Sequence, residues 1–263
     1  MKLILLTGLD GSGKSTLLSR LEAKADPDGS IGFLRVPKIE EQLYEGNGPL
    51  YRTSLFINRL HADADRLNVP SLKALALFSS MLLFRELLAW LHKNGRKLVF
   101  CERHPLIDTA VYARFYADKL DPSTMDPDLF AYLDATYPDE IHYLVRNIHV
   151  NQDGKGMSYG LLAYIHTWFA VHRKWGTSDL RLLFGVDLPD TIYYLYASPD
   201  ILMQRISGRE VREAHESKAV FAALLPVYEQ VLAGCGVDVA RIRADQSEQL
   251  DAAFQLLSET YLA

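Results

Sequence analysis

The chain has 263 residues, enough for one α/β domain with a sizeable core. Hydrophobic residues make up 49% and charged residues 23%, which excludes a disordered or fibrous chain. With 28 Lys and Arg against 33 Asp and Glu, the net charge is -5, which argues against a broadly basic nucleic-acid binder while leaving room for a local basic cleft. Cys101 and Cys235 are too few for a disulfide scaffold, and Cys101 sits in an apolar run that suits a reduced, buried thiol.

Leu3 to Leu6 is a short apolar run ending at Thr7-Gly8, as expected of a buried parallel strand. It is too short for a signal-peptide core and meets no small-residue cleavage site, so a cytoplasmic chain is expected from the first residue. Ser15 to Ala25 then turns helical, with Leu17, Leu18 and Leu21 on one face. Asp26-Pro27-Asp28-Gly29 reads as a turn and Ile31 to Val36 as a second strand. Tyr51 to Asn68 and Leu72 to Lys93 read as helices, the second closed by Asn94-Gly95. Lys73, Arg85 and Glu86 within the second helix would be costly in a bilayer, so no membrane span is expected.

Lys97 to Cys101 is the third expected strand, followed by a helix from about Ile107 to Lys119. The fourth strand has two candidates of similar sequence, Pro138 to Leu144 and Pro189 to Leu195, of which 191–196 is preferred. The stretch between them, about 138–188, then becomes an insertion with a loop at 151–156 and a helix over 159–174. Val237 to Ile242 is the last strand. Strands alternating with helices predict βαβ units and a parallel sheet of five strands with helices on both faces. No linker or repeat divides the chain, so a single domain over 1–263 is expected.

Gly8-Leu9-Asp10-Gly11-Ser12-Gly13-Lys14-Ser15-Thr16 fits the pattern G-x-x-x-x-G-K-[ST]. Glycines allow backbone N–H groups to turn inward onto phosphate oxygens. Lys14 supplies a charge for the β and γ phosphates, Ser15 a hydroxyl for Mg2+, and the following helix an electropositive end. The loop follows an apolar strand and opens an amphipathic helix, as this chemistry demands. A nucleoside-triphosphate site is the expectation. A guanine-reading Asn-Lys-x-Asp occurs nowhere, which sets aside a GTPase switch.

Two further constellations point to phosphoryl transfer between small molecules. Glu102 and Arg103 lie at the end of the third strand, where α/β sheets gather ligands; Glu102 could hold Mg2+ through water and Arg103 clamp a phosphoryl oxygen. The bland alternative is an ion pair of neighbours. His104, before a proline, reads as a turn residue. Arg205, Arg209 and Arg212 are spaced along one side of a helix. They form either a solvated face, with Glu210, Glu213 and Glu216 nearby, or a lid over about 205–218 that closes on a triphosphate and excludes water.

The phosphate loop, the Glu-Arg-His strand end and the Pro-Asp-x-x-Tyr-Tyr-Leu, Ser-Pro-Asp and Gln-Arg-Ile run together resemble the thymidylate kinase and deoxynucleoside kinase family, over 1–120 and 188–263. The last of these runs is why 191–196 is preferred as the fourth strand. The resemblance implies a three-layer P-loop kinase fold with an Arg-bearing lid, using ATP and Mg2+. It implies that Gly8, Gly11, Ser12, Gly13, Lys14, Ser15 and Thr16 bind ATP phosphates, that Asp10 approaches the acceptor's sugar hydroxyl, and that Arg103 contacts the acceptor phosphate. It further implies Ser15 and Glu102 as metal-facing groups, Arg205, Arg209 and Arg212 as lid arginines, and Asp245 beside adenine, although 244–247 also reads as a helix N-cap.

Departures fall in the acceptor half. The family's Arg-Glu-Pro-Gly-Gly-Thr is here Arg35-Val36-Pro37-Lys38, where Arg35 can still serve an acceptor phosphate. The arginine expected in the preceding helix falls near Ser80, with Arg85 more than a turn later, and Tyr112 keeps its spacing while a glutamine is lost. Cations at Arg35 and Lys38 favour an anionic acceptor, which needs no general base. The expectation is therefore an ATP-dependent kinase of a nucleoside monophosphate, dTMP first. A kinase of a nucleoside or other metabolite hydroxyl is the alternative, and a non-catalytic ATP-sensing module the other class. The aromatic stretch with Tyr159, Tyr164, His166, Trp168, Phe169, His172 and Trp175 either packs on the core or a dimer partner, or borders the acceptor pocket. Expected partners are a small-molecule acceptor and at most a second copy of the chain, with no nucleic-acid polymer.

Overall fold

Five strands supply the frame that positions the glycine-rich loop 8–16: β1 (Lys2–Thr7), β2 (Ile31–Arg35), β3 (Leu98–Glu102), β4 (Thr191–Tyr196) and β5 (Val239–Arg243). In this computed structural model, which describes residues 1–27, 29–148, 150, 154–208 and 216–262, they form one parallel sheet in the order β2-β3-β1-β4-β5. Leu3 to Leu6 are all buried, as a central strand covered on both faces requires.

The helices are α1 (Lys14–Lys24), α2 (Gly48–Leu67), α3 (Pro70–Lys93), α4 (Pro105–Tyr116), α5 (Pro127–Thr136), α6 (Pro138–Val145), α7 (Met157–His166), α8 (Thr177–Phe184), α9 (Pro199–Ile206), α10 (Lys218–Gly234) and α11 (Ser247–Tyr261). Helices α1 and α11 pack on each other and on the sheet, where Tyr261 meets Phe100 edge-on at 5.6 Å. Helices α3, α4 and α10 form the other layer. Helix α3 is long and apolar enough to cross a bilayer, yet 61% of that stretch is buried within the fold, so it serves here as a core helix. All five strands are parallel, so their C-terminal ends share one edge, and the chain runs to opposite sides of β1 on leaving β1 and β3. Ligands bind at such a crevice.

The fourth strand is 191–196, as preferred, and the rival segment is helix α6. Pro138 opens it, Asp139 and Glu140 suit its electropositive first turn, and Ile141, Leu144 and Val145 are buried at helical spacing. The helix expected over 159–174 is shorter: α7 gives way to a π-helical turn at Thr167–Val171. There Trp168 and Trp175 donate their indole N–H groups to the carbonyls of Lys174 and Phe169 and fold the chain back. The helix after β3 starts two residues earlier than expected and passes into a 3-10 turn at Ala117–Lys119. Asp28 of the expected turn, residues 151–153 of the expected loop, and Arg209 and Arg212 lie outside the described residues.

Two histidines, His104 buried and His61 half-buried, give the fold a sign-definite pH dependence. His61 sits 3.0 Å from the Ser80 hydroxyl through Nε2, and His104 caps α4 by accepting from the Leu106 N–H. Burial lowers both imidazoles from 6.5 to about 3, with Lys73 adding to the effect at His61. Below pH 6.5 the unfolded chain takes up protons that the folded chain refuses, so stability falls as pH drops from 6.5 toward about 3. The expected slope is about 1.4 kcal/mol per pH unit for each histidine. Urea unfolding at pH 7 and pH 5 checks this: H104N, which keeps an acceptor at the cap but does not titrate, is expected to remove one proton's share of the difference.

Candidate functional site

The loop between β1 and α1 is shaped by close backbone approaches. Gly8, Gly11 and Gly13 have φ of 143°, 81° and 92°. A Cβ on Gly8 would lie 2.1 Å from the Leu195 carbonyl oxygen, and one on Gly11 2.9 Å from that of Leu202, so β4 and α9 press directly against the loop. Leu9 is buried beneath it, and α1 begins at Gly13 with neither a side-chain cap nor an acidic residue in its first turn. Its unpaired N–H groups therefore present a positive end to the loop.

The Lys14 ammonium is 3% exposed, donates to the Leu9 carbonyl at 2.9 Å and stands 3.9 Å from Asp10 Oδ1. Burial, followed by the nearby Arg103, lowers its pKa from that of an ordinary lysine. Ser15 Oγ donates to Glu102 Oε1 at 2.8 Å, joining the start of α1 to the end of β3. Thr16 is exposed beside it, and Ser12 is fully buried under the loop.

Arg103 follows β3 with φ of 67°, a conformation rare for a residue with a side chain, and functional sites are where such strain collects. Its Nη2 meets Asp10 Oδ1 at 2.6 Å, its Nη1 lies 3.4 Å from Asp108 Oδ1, and its guanidinium stands 4.8 Å over the Tyr112 ring. Burial works against this charge, but the neighbouring groups, Asp10 foremost, outweigh it and raise the pKa well above that of a free arginine. Asp10 and Arg103, ninety-three positions apart, thus form one buried charge clamp beside the loop.

Sequence reasoning missed Asp108, which is 1% exposed. Its Oδ1 accepts from the Thr7 hydroxyl at 2.9 Å and the Tyr228 hydroxyl at 2.7 Å, and its Oδ2 from the His104 N–H at 2.7 Å. The available signal was an acidic residue at the fourth position of an otherwise apolar helix turn, Pro105 to Val111. Arg205 bridges from α9 to the loop, donating to the Ala244 carbonyl at 2.6 Å and the Gly11 carbonyl at 3.3 Å. Asp245 pairs with Arg243 at 3.0 Å, and α11 takes Gln246 rather than Asp245 as its N-cap.

Beside these groups lies a cavity of about 420 Å3. Asp10, Ser15, Glu102 and Arg103 line it, with Tyr112 from α4. The insertion borders it through Ile165 and Phe169. A second cavity of about 930 Å3, lined by more charged and amide side chains, shares Ser15, Pro37, Lys38 and Glu102 with the first.

Arg35 lines only the second cavity and is held by carboxylates: Nη2 meets Glu22 at 2.6 Å and Nη1 meets Glu40 at 2.6 Å. Ser80, at the place of an expected arginine, turns to the Ala76 carbonyl at 2.8 Å. Arg85 pairs with Glu86 and packs at Gly185, so it does not take that place either. Among the described residues no three His, Cys, Asp or Glu side chains gather as a metal cluster, and His166 and His172 belong to none.

The fold has known counterparts. A deoxyadenosine kinase from M. mycoides, solved with the products dCMP and a flexible dCDP bound, aligns over 98% of this chain and 99% of its own at 14% identity and a TM-score of 0.51. A thymidylate kinase from Candida albicans aligns over 98% of this chain and 91% of its own at 15% identity and a TM-score of 0.48. No family model and no curated protein sequence matches the chain. The architecture is the α/β P-loop fold of the deoxynucleoside kinases.

The Asp108 network predicts a measurable cost. Replacing the carboxylate in D108N removes a charge partner of Arg103 and turns an amide toward hydroxyl and N–H donors. The expected loss is about 3–5 kcal/mol of stability, read as a lower urea midpoint at unchanged slope.

Proposed function

We propose that this chain is an ATP-dependent phosphotransferase that moves the γ-phosphoryl of ATP to a small acceptor held in the cavity beside the phosphate loop. The observation that carries the reading is that loop and cavity meet at the same four side chains, Asp10, Ser15, Glu102 and Arg103. A nucleotide on the loop and an acceptor in the cavity would have their reacting ends together there.

In this reading Gly8 to Thr16 hold the phosphates through backbone N–H groups, the Lys14 ammonium and the positive end of α1. The Ser15 hydroxyl and the Glu102 carboxylate, already 2.8 Å apart, fit Mg2+, which favours oxygen ligands and arrives with nucleotide oxygens and water rather than in an all-protein cage. Bound there, Mg2+ would offset charge on the β and γ phosphates. Lys14, Arg103 and Arg205 would offset charge on the transferring group, with Arg209 and Arg212 the further cations of the expected lid. Asp245 keeps one buried carboxylate oxygen, Oδ1, without a partner in the fold, an acceptor suited to the amine of adenine.

The transfer forms a bond from an acceptor oxygen to the γ phosphorus and breaks the bond from that phosphorus to the β–γ bridging oxygen. ADP leaves with the electron pair. A monophosphate acceptor, dTMP being the first implied by the family resemblance, is already ionised and gives up no proton. A hydroxyl acceptor must lose one, and Asp10 is the carboxylate positioned to take it. One observation favours this second reading. Arg35, the cation expected to serve an acceptor phosphate, does not line this cavity and is paired with Glu22 and Glu40.

Acceptor-stimulated ADP release tests the proposal and separates it from a non-catalytic ATP sensor, which would bind ATP without such stimulation. K14A is expected to lower the rate tens- to a hundredfold, about 2–3 kcal/mol of barrier. D10N divides the two readings: it should lower turnover of a hydroxyl acceptor far more than turnover of dTMP.

A further inference from the structure

We infer that the acceptor's buried portion is a hydrocarbon group, aromatic or branched, rather than a pyrimidine or purine whose hydrogen-bonding edge the protein reads. This rests on the phosphotransferase reading above and narrows its substrate class. The bond changes are those already given: the acceptor oxygen gains the phosphoryl group and ADP departs.

The argument starts with α3. Ala74, Leu77, Phe78 and Met81 line the cavity at positions i, i+3, i+4 and i+7, a single stripe with no polar group. Ile165 and Phe169 complete this apolar surface from the insertion, and Phe169 meets Phe78 edge-on at 5.8 Å. Of the polar side chains of this part of α3, Ser80 and Lys73 are engaged elsewhere, and the buried Ser79 does not line the cavity. Ser80 bonds the Ala76 carbonyl, and Lys73 pairs with Asp65 at 2.8 Å. The helix backbone has its own partners and offers the cavity no N–H.

A thymine buried here would bring two carbonyl oxygens and an N–H in a fixed pattern, and other bases bring their own fixed sets of donors and acceptors. Side-chain amides match such patterns with paired donor and acceptor, and among the described residues lining this cavity there is no Asn or Gln. The nearby amides, Gln42 and Asn58, line the other cavity, and Asn58 is already bonded to Ile39 and Glu41. Apart from Asp10, Ser15, Lys38, Glu102, Arg103 and Asp108 at the end beside the loop, the polar lining is a set of hydroxyls on α4, from Thr109, Tyr112 and Tyr116, which rotate and so impose no donor–acceptor order. Each base atom left without a partner would cost about ten- to a hundredfold in affinity. A hydrocarbon group meets no such cost, and every methylene it buries gains.

The test compares kcat/KM for ADP release with acceptors matched in their reacting group. Thymidine and dTMP form one pair, 1-naphthylmethanol and its monophosphate the second, geraniol and its monophosphate the third. The expected result is at least about a tenfold preference for an apolar member over the thymidine member with the same reacting group. L77Q, at a half-buried position that can take an amide, should shrink that preference by about tenfold. F169L serves if L77Q does not fold, and should reduce turnover of the naphthyl pair more than of the thymidine pair. A preference for thymidine or dTMP overturns the inference and leaves the phosphotransferase reading standing. If no acceptor of any pair stimulates ADP release, while ATP still binds, both fall.

Discussion

Asp108 is withdrawn from water, and a carboxylate so placed must find donors for its lone pairs or destabilise the fold. Its donors come from separate parts of the chain: Thr7 at the end of β1, the His104 N–H after β3, Tyr228 on α10 and the Arg103 guanidinium. Meeting this one requirement fixes the exits of two strands and a helix of the next layer relative to one another. Those exits carry the phosphate loop and Arg103. The second shared partner of Arg103 is Asp10, a residue of the loop itself, so the charges at the mouth of the cavity are oriented before any ligand arrives. Orientation in advance is what electrostatic stabilisation of a transferring group requires.

The glycine-rich loop between β1 and α1 was legible in the sequence because its signals are local. An apolar run, glycines at set spacing, Lys14 and Ser15 lie within one short stretch, and backbone sterics translate them directly into a loop. Glu102 and Arg103 were legible for a related reason, since the residues just beyond a parallel strand face the ligand edge. What could not be read were pairings across long separations. Nothing near Arg35 announces that Glu22, on the preceding helix, will face it. Likewise, whether Ser80 or Arg85 looks into the cavity depends on the rotation of α3, which its nearly all-round apolar sequence leaves open. The segment 138–145 shows the same limit for secondary structure. Its apolar residues suit a strand by composition, whereas their spacing and the acids after Pro138 suit a helix, and packing against α2 and α7 decides.

The two cavities divide the chemistry of the cleft. The first takes its far wall from the apolar stripe of α3 and the second is lined by more charged and amide side chains, yet both reach Ser15 and Glu102. The residues between them are Pro37 and Lys38. A proline there stiffens the partition, and the exposed lysine leaves a single mobile cation at the boundary.

Helix α7 and its π-helical turn lie outside the strand–helix units that build the sheet, yet they supply Ile165 and Phe169 to the acceptor wall. Part of the cavity wall is therefore encoded in a stretch of chain separate from the glycine-rich loop, while α3 and α4 supply the rest. Natural variation in length or sequence within the inserted stretch could retune selectivity while the donor end stays untouched, so the fold has the makings of an interchangeable module.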